Sequence, residues 1–334
     1  MLIPTVDLSS DNPNASNQLL DAATEYGFVF IENNNIGILK SNIDNLFALS
    51  QNFFAAPVEV KQEVAIGSNK AGKNHGWLSR GIETLDPATQ KRADVKEALN
   101  IGAHINGELQ QALPTPLEPH RETIIAFQNS CHAFCQLIFQ HLAEALKVKR
   151  DWFTTRHDPS KGPSGTLLRL LYYPHVLDVE DGIDIRAGAH SDFGSVTLLF
   201  QFPGQPGLEI KTPTGEWESV PVDPAQGESN GVVESERVLP ILVNIGDLLE
   251  DWTGGLLKST VHRVIFPKGG EGADRYSIAY FCHPLDDARL DPVPSNKVQD
   301  HAAKTGKGST RNGTVLTAKD HLMERLAATY SIKT

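Results

Sequence analysis

Residues Ala187–Phe200 read AGAHSDFGSVTLLF and set His190 and Asp192 two residues apart at the head of an apolar, β-branched run. Alternate side chains of an extended strand share a face, so this His and Asp can converge on one ion. Gly188 and Gly194 flank the pair and let the backbone bend where a metal must sit close. A second imidazole, His262, stands far downstream inside another strand-like run, Lys258-Ser259-Thr260-Val261-His262-Arg263-Val264. Two imidazoles and one carboxylate make the facial triad that holds non-haem Fe(II) and leaves three positions open. The run Tyr276–Phe281 is headed by Arg275-Tyr276-Ser277. Arg275 and Ser277 share a face by the same alternation and offer a fork and a hydroxyl to a carboxylate.

Three distant strands that meet at one point require a fold made of strands. From Thr166 onward the chain reads as short strands at 166–173, 195–201, 207–211, 216–220, 239–244, 260–266 and 276–282, separated by turns such as Pro213-Thr214-Gly215. Many short strands with regular turns predict a sandwich or barrel. A double-sheet jelly roll covers its edges and leaves a mouth at one end for a metal. The first half is different. Ile3–Val6 reads as a strand, Asn14–Tyr26 as a helix stopped by Gly27, and Phe28–Ile31 as a strand again. Gly37–Phe54 has near-helical spacing, Val58–Val64 follows as a short helix after Pro57, and Pro119–Leu146 is the longest amphipathic helix. The expectation is an α+β protein with a double-stranded β-helix core, residues 151–334 including a last helix Ala318–Tyr330. Residues 1–150 form a helical and strand region that buttresses one sheet, the whole making one compact unit. Residues 66–92 read as a long loop able to cover a site, 223–238 as an exposed acidic insertion, and Gly306–Gly313 as a flexible segment.

Composition excludes several classes. The chain has 334 residues, 40% of them hydrophobic, which suffices for a sizeable core. Its net charge of −11 and the lack of any basic run interleaved with aromatics argue against a nucleic-acid surface. No apolar stretch is long enough to span a membrane, and MLIPTVDLSS does not read as a signal peptide. Three cysteines do not make a disulfide framework. Cys131 and Cys135 read as packing residues, and Cys282 as core. A soluble, cytoplasmic protein acting on a small molecule is expected.

The ordered set HxD, distant His and RxS resembles the isopenicillin N synthase-like family of Fe(II)/2-oxoglutarate dioxygenases. Ile3-Pro4-Thr5-Val6-Asp7, Glu25-Tyr26-Gly27-Phe28-Val29, Asn74-His75-Gly76-Trp77 and Asp94-Val95-Lys96-Glu97 are similar to the family's N-terminal signatures. RLLYYP (169–174), RAGAHSDFGSVTLLFQ (186–201), KSTVHRV (258–264) and RYSIAYFCHP (275–284) resemble the family's fungal thymine dioxygenases most. The resemblance implies Fe(II) on His190, Asp192 and His262, with 2-oxoglutarate and O2 as co-substrates. It implies that Arg275, Ser277 and Tyr173 receive the far carboxylate of 2-oxoglutarate, and that succinate and CO2 are released. It also implies that Phe193 and Phe281 sandwich a planar substrate contacted by Arg169. Thr166 stands where those relatives carry an Asn, and a hydroxyl cannot replace an amide's paired donor and acceptor. The expected substrate is therefore a small planar or ring-shaped molecule rather than thymine itself.

Other readings remain beside this one. An ethylene-forming or secondary-metabolite oxygenase would carry the same triad, and so would a silent sensor of iron or 2-oxoglutarate. His132, His141 and His175 read as helix-surface or loop residues, His283 as one outside the pocket, and Trp152, Trp217 and Trp252 as packing residues. Asn244-Ile245-Gly246-Asp247 reads as a plain turn.

Overall fold

Two facing sheets organise the computed structural model. It describes residues 3–33, 37–70, 74–177, 179–180, 183–225, 238–267, 273–306, 310–311 and 314–330. In chain order the strands are β1 (Thr5–Val6), β2 (Phe28–Ile31), β3 (Gly76–Leu78), β4 (Glu97–Gly102), β5 (Leu167–Tyr173), β6 (Ala187–His190) and β7 (Val196–Gln201). There follow β8 (Leu208–Lys211), β9 (Trp217–Ser219), β10 (Ile241–Ile245), β11 (His262–Val264), β12 (Arg275–Cys282), β13 (Thr310–Arg311) and β14 (Thr314–Val315). The helices are α1 (Ala15–Glu25), α2 (Lys40–Phe54), α3 (Val58–Gln62), α4 (Arg121–Ala145), α5 (Asp247–Trp252), α6 (Asn296–Thr305) and α7 (Ala318–Tyr330). The large sheet runs β1-β2-β10-β7-β12-β5-β4-β3 and the small one β6-β11-β8-β9. Together they make the jelly-roll core, in an α+β chain.

Alternation along the strands divides the hydrophobic residues into two cores. In β12, Ile278, Tyr280 and Cys282 point outward, joined by Leu168 and Leu170 of β5 and Leu198 and Phe200 of β7. The stripe Ile124, Phe127, Cys131, Phe134, Cys135 and Ile138 of α4 packs on this face, with α1 and α2 beside it. Burying each such Phe or Leu contributes roughly 1.5–3 kcal/mol, so the helices hold the large sheet from behind, as expected. The opposite face looks into the barrel, where Leu171, Tyr173, Ala279, Leu208 and Val264 form the second core. Arg275 and Ser277 share that inward face with Ala279 and Phe281.

Gly27 ends α1 with its N–H bonded to the carbonyl of Ala22, at φ 69°. A Cβ there would overlap the Lys258 carbonyl oxygen. Position 27 therefore needs glycine both for its conformation and for the approach of the segment that carries His262.

Several elements depart from expectation. The stretch 66–92 is not all loop, because β3 lies within it and pairs with β4. Neither short strand has enough alternating positions to stand out from its Gly- and Asn-rich flanks. Helix α6 (NKVQDHAAKT) buries only Val298 and so shows no apolar period. Most of the acidic insertion, residues 226–237, lies outside the described residues, as do parts of 306–313. All three cysteines are free and buried. Among the described residues no helix is long and apolar enough to cross a membrane.

Candidate metal centre and substrate cavity

Strand register brings the two imidazoles together. β6 and β11 are antiparallel neighbours in which His190 and His262 are direct partners, and their ring centroids are 4.3 Å apart. Asp192 lies just past the end of β6, its Oδ1 4.0 Å from Nε2 of His190 and 3.8 Å from Nε2 of His262. Ligand atoms of these three residues all fall within 4.8 Å of one another, a set able to hold a metal ion.

Hydrogen bonds around the cluster settle which atoms face the centre. His190 Nδ1 donates to the carbonyl of Gly188 at 2.8 Å and His262 Nδ1 to that of Thr260 at 3.1 Å. A carbonyl can only accept, so each ring carries its proton on Nδ1 and turns a lone pair at Nε2 inward. Asp192 Oδ2 accepts from Thr197 Oγ1 and Asn244 Nδ2, both at 2.7 Å, which leaves Oδ1 for an ion. Burial and the neighbouring His262 push the His190 imidazole down to about 4, against the pull of Asp192. Burial works against ionisation of Asp192, but the two imidazoles and the bonds from Asn244 and Thr197 outweigh it and hold the carboxyl below its usual range. Two imidazoles presenting Nε2 and one carboxylate oxygen are the donor set that suits Fe(II).

Below the cluster sits a guanidinium. Arg275 is 1% exposed. Its Nε donates to the carbonyl of Gln205 at 3.2 Å and its Nη1 to Ser277 Oγ at 3.3 Å, and the group lies 5.0 Å over the Tyr173 ring. Among the described residues no carboxylate pairs with it. A buried cation without an acid is costly, and this one lines the same cavity as His190, Asp192 and His262, with Ser277 and Tyr173. A second buried arginine, Arg186, donates to the carbonyl of Ala273 and lies 4.9 Å over Phe266. Burial and the charge of Arg275 push it down to about 10. Sequence reasoning missed Arg186, although it directly precedes the strand that ends in His190.

The cavity continues past the metal cluster between Phe193, Phe281, Asn100, Arg169 and His283, and Leu322 and Leu326 of α7 line its far side. All three residues read as substrate contacts are thus on one wall system. Phe193 lies under Arg325, whose guanidinium is 5.3 Å over its ring. Arg325 also pairs with Asp247. Arg169 is held by Glu83, which accepts as well from Lys96 at 3.2 Å, while Lys96 pairs with Asp94. Burial opposes a charge on Lys96, but Glu83 and Asp94 prevail and raise it. This group of charges, three of them buried and Arg169 partly so, pins residues 79–95 beside the cavity that Leu85 lines. Asp94 Oδ1 also accepts from Gly188 N at 3.0 Å and Gln90 Nε2 at 2.7 Å. A Cβ on Gly188 would overlap Gln90 Oε1, so glycine there serves the loop's close approach as much as any bend beside a metal.

Four expectations need correction. His283 lines the cavity rather than standing apart from it, because β12 ends at its edge; burial pushes its imidazole down to about 4. His132 is half-buried between α4 and β12, bonded to Gln136 and Tyr280. His141, likewise half-buried, ties α4 to Ser16 of α1. Thr166 turns its hydroxyl to the backbone of His283, where Oγ1 accepts from the N–H at 3.0 Å and donates to the carbonyl at 3.2 Å. Asn244, in the stretch read as a plain turn, proves to hold Asp192; a buried amide next to a predicted ligand strand was the available signal.

Known proteins agree with this architecture. Residues 3–121 match the family described as non-haem dioxygenase in morphine synthesis N-terminal, and residues 164–284 match the 2OG-Fe(II) oxygenase superfamily. The UPF0676 protein C1494.01 of Schizosaccharomyces pombe is 34% identical over 306 residues, 88% of this chain and 86% of that protein. A proline hydroxylase, buaE, of Petromyces alliaceus is 32% identical over 279 residues, 81% of this chain and 82% of its own. Among solved structures, the full-length thymine dioxygenase of Neurospora crassa in complex with alpha-KG and thymine superposes with a TM-score of 0.77 at 29% identity, covering 98% of this chain and 97% of that one.

Proposed function

We infer the function from one premise: the chain belongs to the 2OG-Fe(II) oxygenase superfamily. It is a 2-oxoglutarate-dependent dioxygenase that uses Fe(II), 2-oxoglutarate and O2. In our reading His190, Asp192 and His262 are the iron ligands, and Arg275, Ser277 and Tyr173 hold the far carboxylate of 2-oxoglutarate. The observation that carries this reading is the buried, acid-free guanidinium of Arg275 in the cavity that also holds the His–Asp–His cluster. It meets an anion that must reach the metal from that side.

Fe(II) bound there supplies the redox chemistry by which O2 and 2-oxoglutarate oxidise a C–H bond, with succinate and CO2 released. The protein's part is placement. Arg275 offers its planar fork to one carboxylate, and Ser277 adds a hydroxyl, a charge-assisted pair worth roughly 1.5–3 kcal/mol. Thr197 and Asn244 fix the orientation of Asp192. The loop over residues 79–95 and helix α7 keep water from the cavity. Phe281, on the inward face of β12, and Phe193, beside the ligand Asp192, line the space where a flat substrate would lie, and stacking adds roughly 0.5–1.5 kcal/mol per ring. We therefore read the reaction as hydroxylation of a small planar molecule.

Anaerobic addition of Fe(II) and 2-oxoglutarate to the purified protein should produce the weak visible charge-transfer band of a chelated 2-oxo acid. Asp192→Ala should abolish iron binding, because two imidazoles alone hold Fe(II) poorly. Phe281→Ala should keep iron and 2-oxoglutarate yet lose coupled turnover and release more succinate without product. Full iron occupancy in Asp192→Ala would sink the ligand assignment, and loss of iron in Phe281→Ala would sink the stacking role.

A further inference from the structure

One buried polar atom on the cavity wall has no hydrogen-bond partner among the described residues. Asn100 is 2% exposed and lines the cavity with Arg169, Phe193 and Phe281. Its Nδ2 donates to the carbonyl of Asn74 at 3.1 Å, and this fixes which end of the amide is oxygen. Asn74 presents that carbonyl from a left-handed backbone position, φ 61°, which asparagine tolerates better than most residues. Oδ1 of Asn100 is left buried with no hydrogen-bond partner among the described residues. Such an acceptor destabilises the fold until something donates to it.

The sheet register shows what lies beside it. Asn100 is the direct partner of Arg169 on β5, Arg169 of Ala279 on β12, and Ala279 of Leu199 on β7. Directly paired residues point to the same face. One row across the inner wall therefore reads amide acceptor, cation, methyl, leucine. A flat molecule along this row meets a polar edge at Asn100 and Arg169 and apolar wall beyond. The ion pair with Glu83 sets where the Arg169 guanidinium stands.

We propose, resting on the oxygenase reading above, that Asn100 determines specificity and that the substrate class is a planar cyclic amide. Its ring N–H donates to Asn100 Oδ1, and its neighbouring carbonyl faces Arg169. A ring with the carbonyl but no N–H leaves the buried oxygen unpaired and is rejected.

The test uses the full chain, loaded with Fe(II) and 2-oxoglutarate without oxygen and titrated calorimetrically with matched probes. These are 2-pyridone, uracil and hydantoin, each against its fully N-methylated form. At least one parent ring should bind, and its methylated form should bind about tenfold more weakly or worse, as expected for one lost bond to a buried acceptor. Asn100→Leu, similar in size, should abolish that preference without changing 2-oxoglutarate affinity, and Asn100→Ala should do the same without added bulk. Asn100→Asp, which keeps an acceptor, should retain it. No preference in any pair, or a preference that survives Asn100→Leu and Asn100→Ala, overturns the assignment. The 2-oxoglutarate titration is run first: if that molecule fails to bind, the oxygenase reading falls, and this inference with it.

Discussion

In the reading proposed above, Asp192 offers one oxygen to an ion because its other oxygen is occupied. Thr197 and Asn244 reach Oδ2 from β7 and β10, two strands of the large sheet, so the ligand on the small-sheet side is oriented by residues across the barrel. Thr197→Val and Asn244→Leu should each weaken Fe(II) about 10- to 100-fold, the usual cost of losing an outer hydrogen bond to a metal ligand. Competition against a chelator reads this directly; variants that only melt earlier, with unchanged iron affinity, would show that these bonds serve the fold alone. Arg275→Lys keeps the charge but not the fork, and affinity for 2-oxoglutarate should fall about tenfold, or about 1.4 kcal/mol. Unchanged affinity would place the anion elsewhere. These residues differ in how readable they were. His190 with Asp192, and Arg275 with Ser277, stand in short local patterns whose spacing equals a strand period, and His262 sits in a recognisable strand-like run. Asn244, Arg186 and Asn100 carry no such pattern, because their roles depend on which strand lies opposite.

At the scale of elements, α7 is fastened to the metal site by Arg325, which pairs with Asp247, reaches Ser191 Oγ at 3.4 Å and covers the Phe193 ring. Arg325→Ala should raise the KM for the prime substrate about fivefold, near 1 kcal/mol for a partly exposed ion pair, while Fe(II) and 2-oxoglutarate bind as before. A parallel loss of iron would mean that the helix supports the metal site itself. The core strands β5, β7 and β12 were legible because each runs through several alternating positions with apolar residues outward. β3, β4 and α6 were not. β4 (EALNIG) places Asn100 on the inward face at a position a hydrophobic pattern would fill, and α6 has one buried residue to betray its period.

For the whole molecule, buried histidines set how acid is tolerated. His157 donates from Nδ1 to the carbonyl of Phe153 at 2.8 Å, pairs with Ser195 Oγ at 2.9 Å and packs 4.0 Å from Phe139. Burial pushes its imidazole down to about 3. Once unfolded, it takes a proton below its ordinary value of about 6.5, which the folded chain refuses until about 3. This share of stability is therefore full well above 6.5, starts to fall as the pH drops through 6.5, and keeps falling toward 3. Between pH 7.5 and 5 the metal-free protein should lose about 2 kcal/mol through His157 alone. Urea unfolding at the two pH values should show this, and His157→Asn should remove that share; an equal slope in the variant would refute it. The same sheet that buries these groups also joins distant parts of the chain: β1 and β2 extend it beside β10, and β4 and β3 extend it beside β5. Asn100, the loop of residues 79–95 and helix α7 thus belong to attachments around the barrel, whereas the residues read as iron and 2-oxoglutarate contacts, with Arg169 and Phe281, belong to its staves or their ends. A lineage built on this plan can shift what it oxidises by rewriting the attachments that close one side of the cavity, and keep the strands of the oxidising machinery in place.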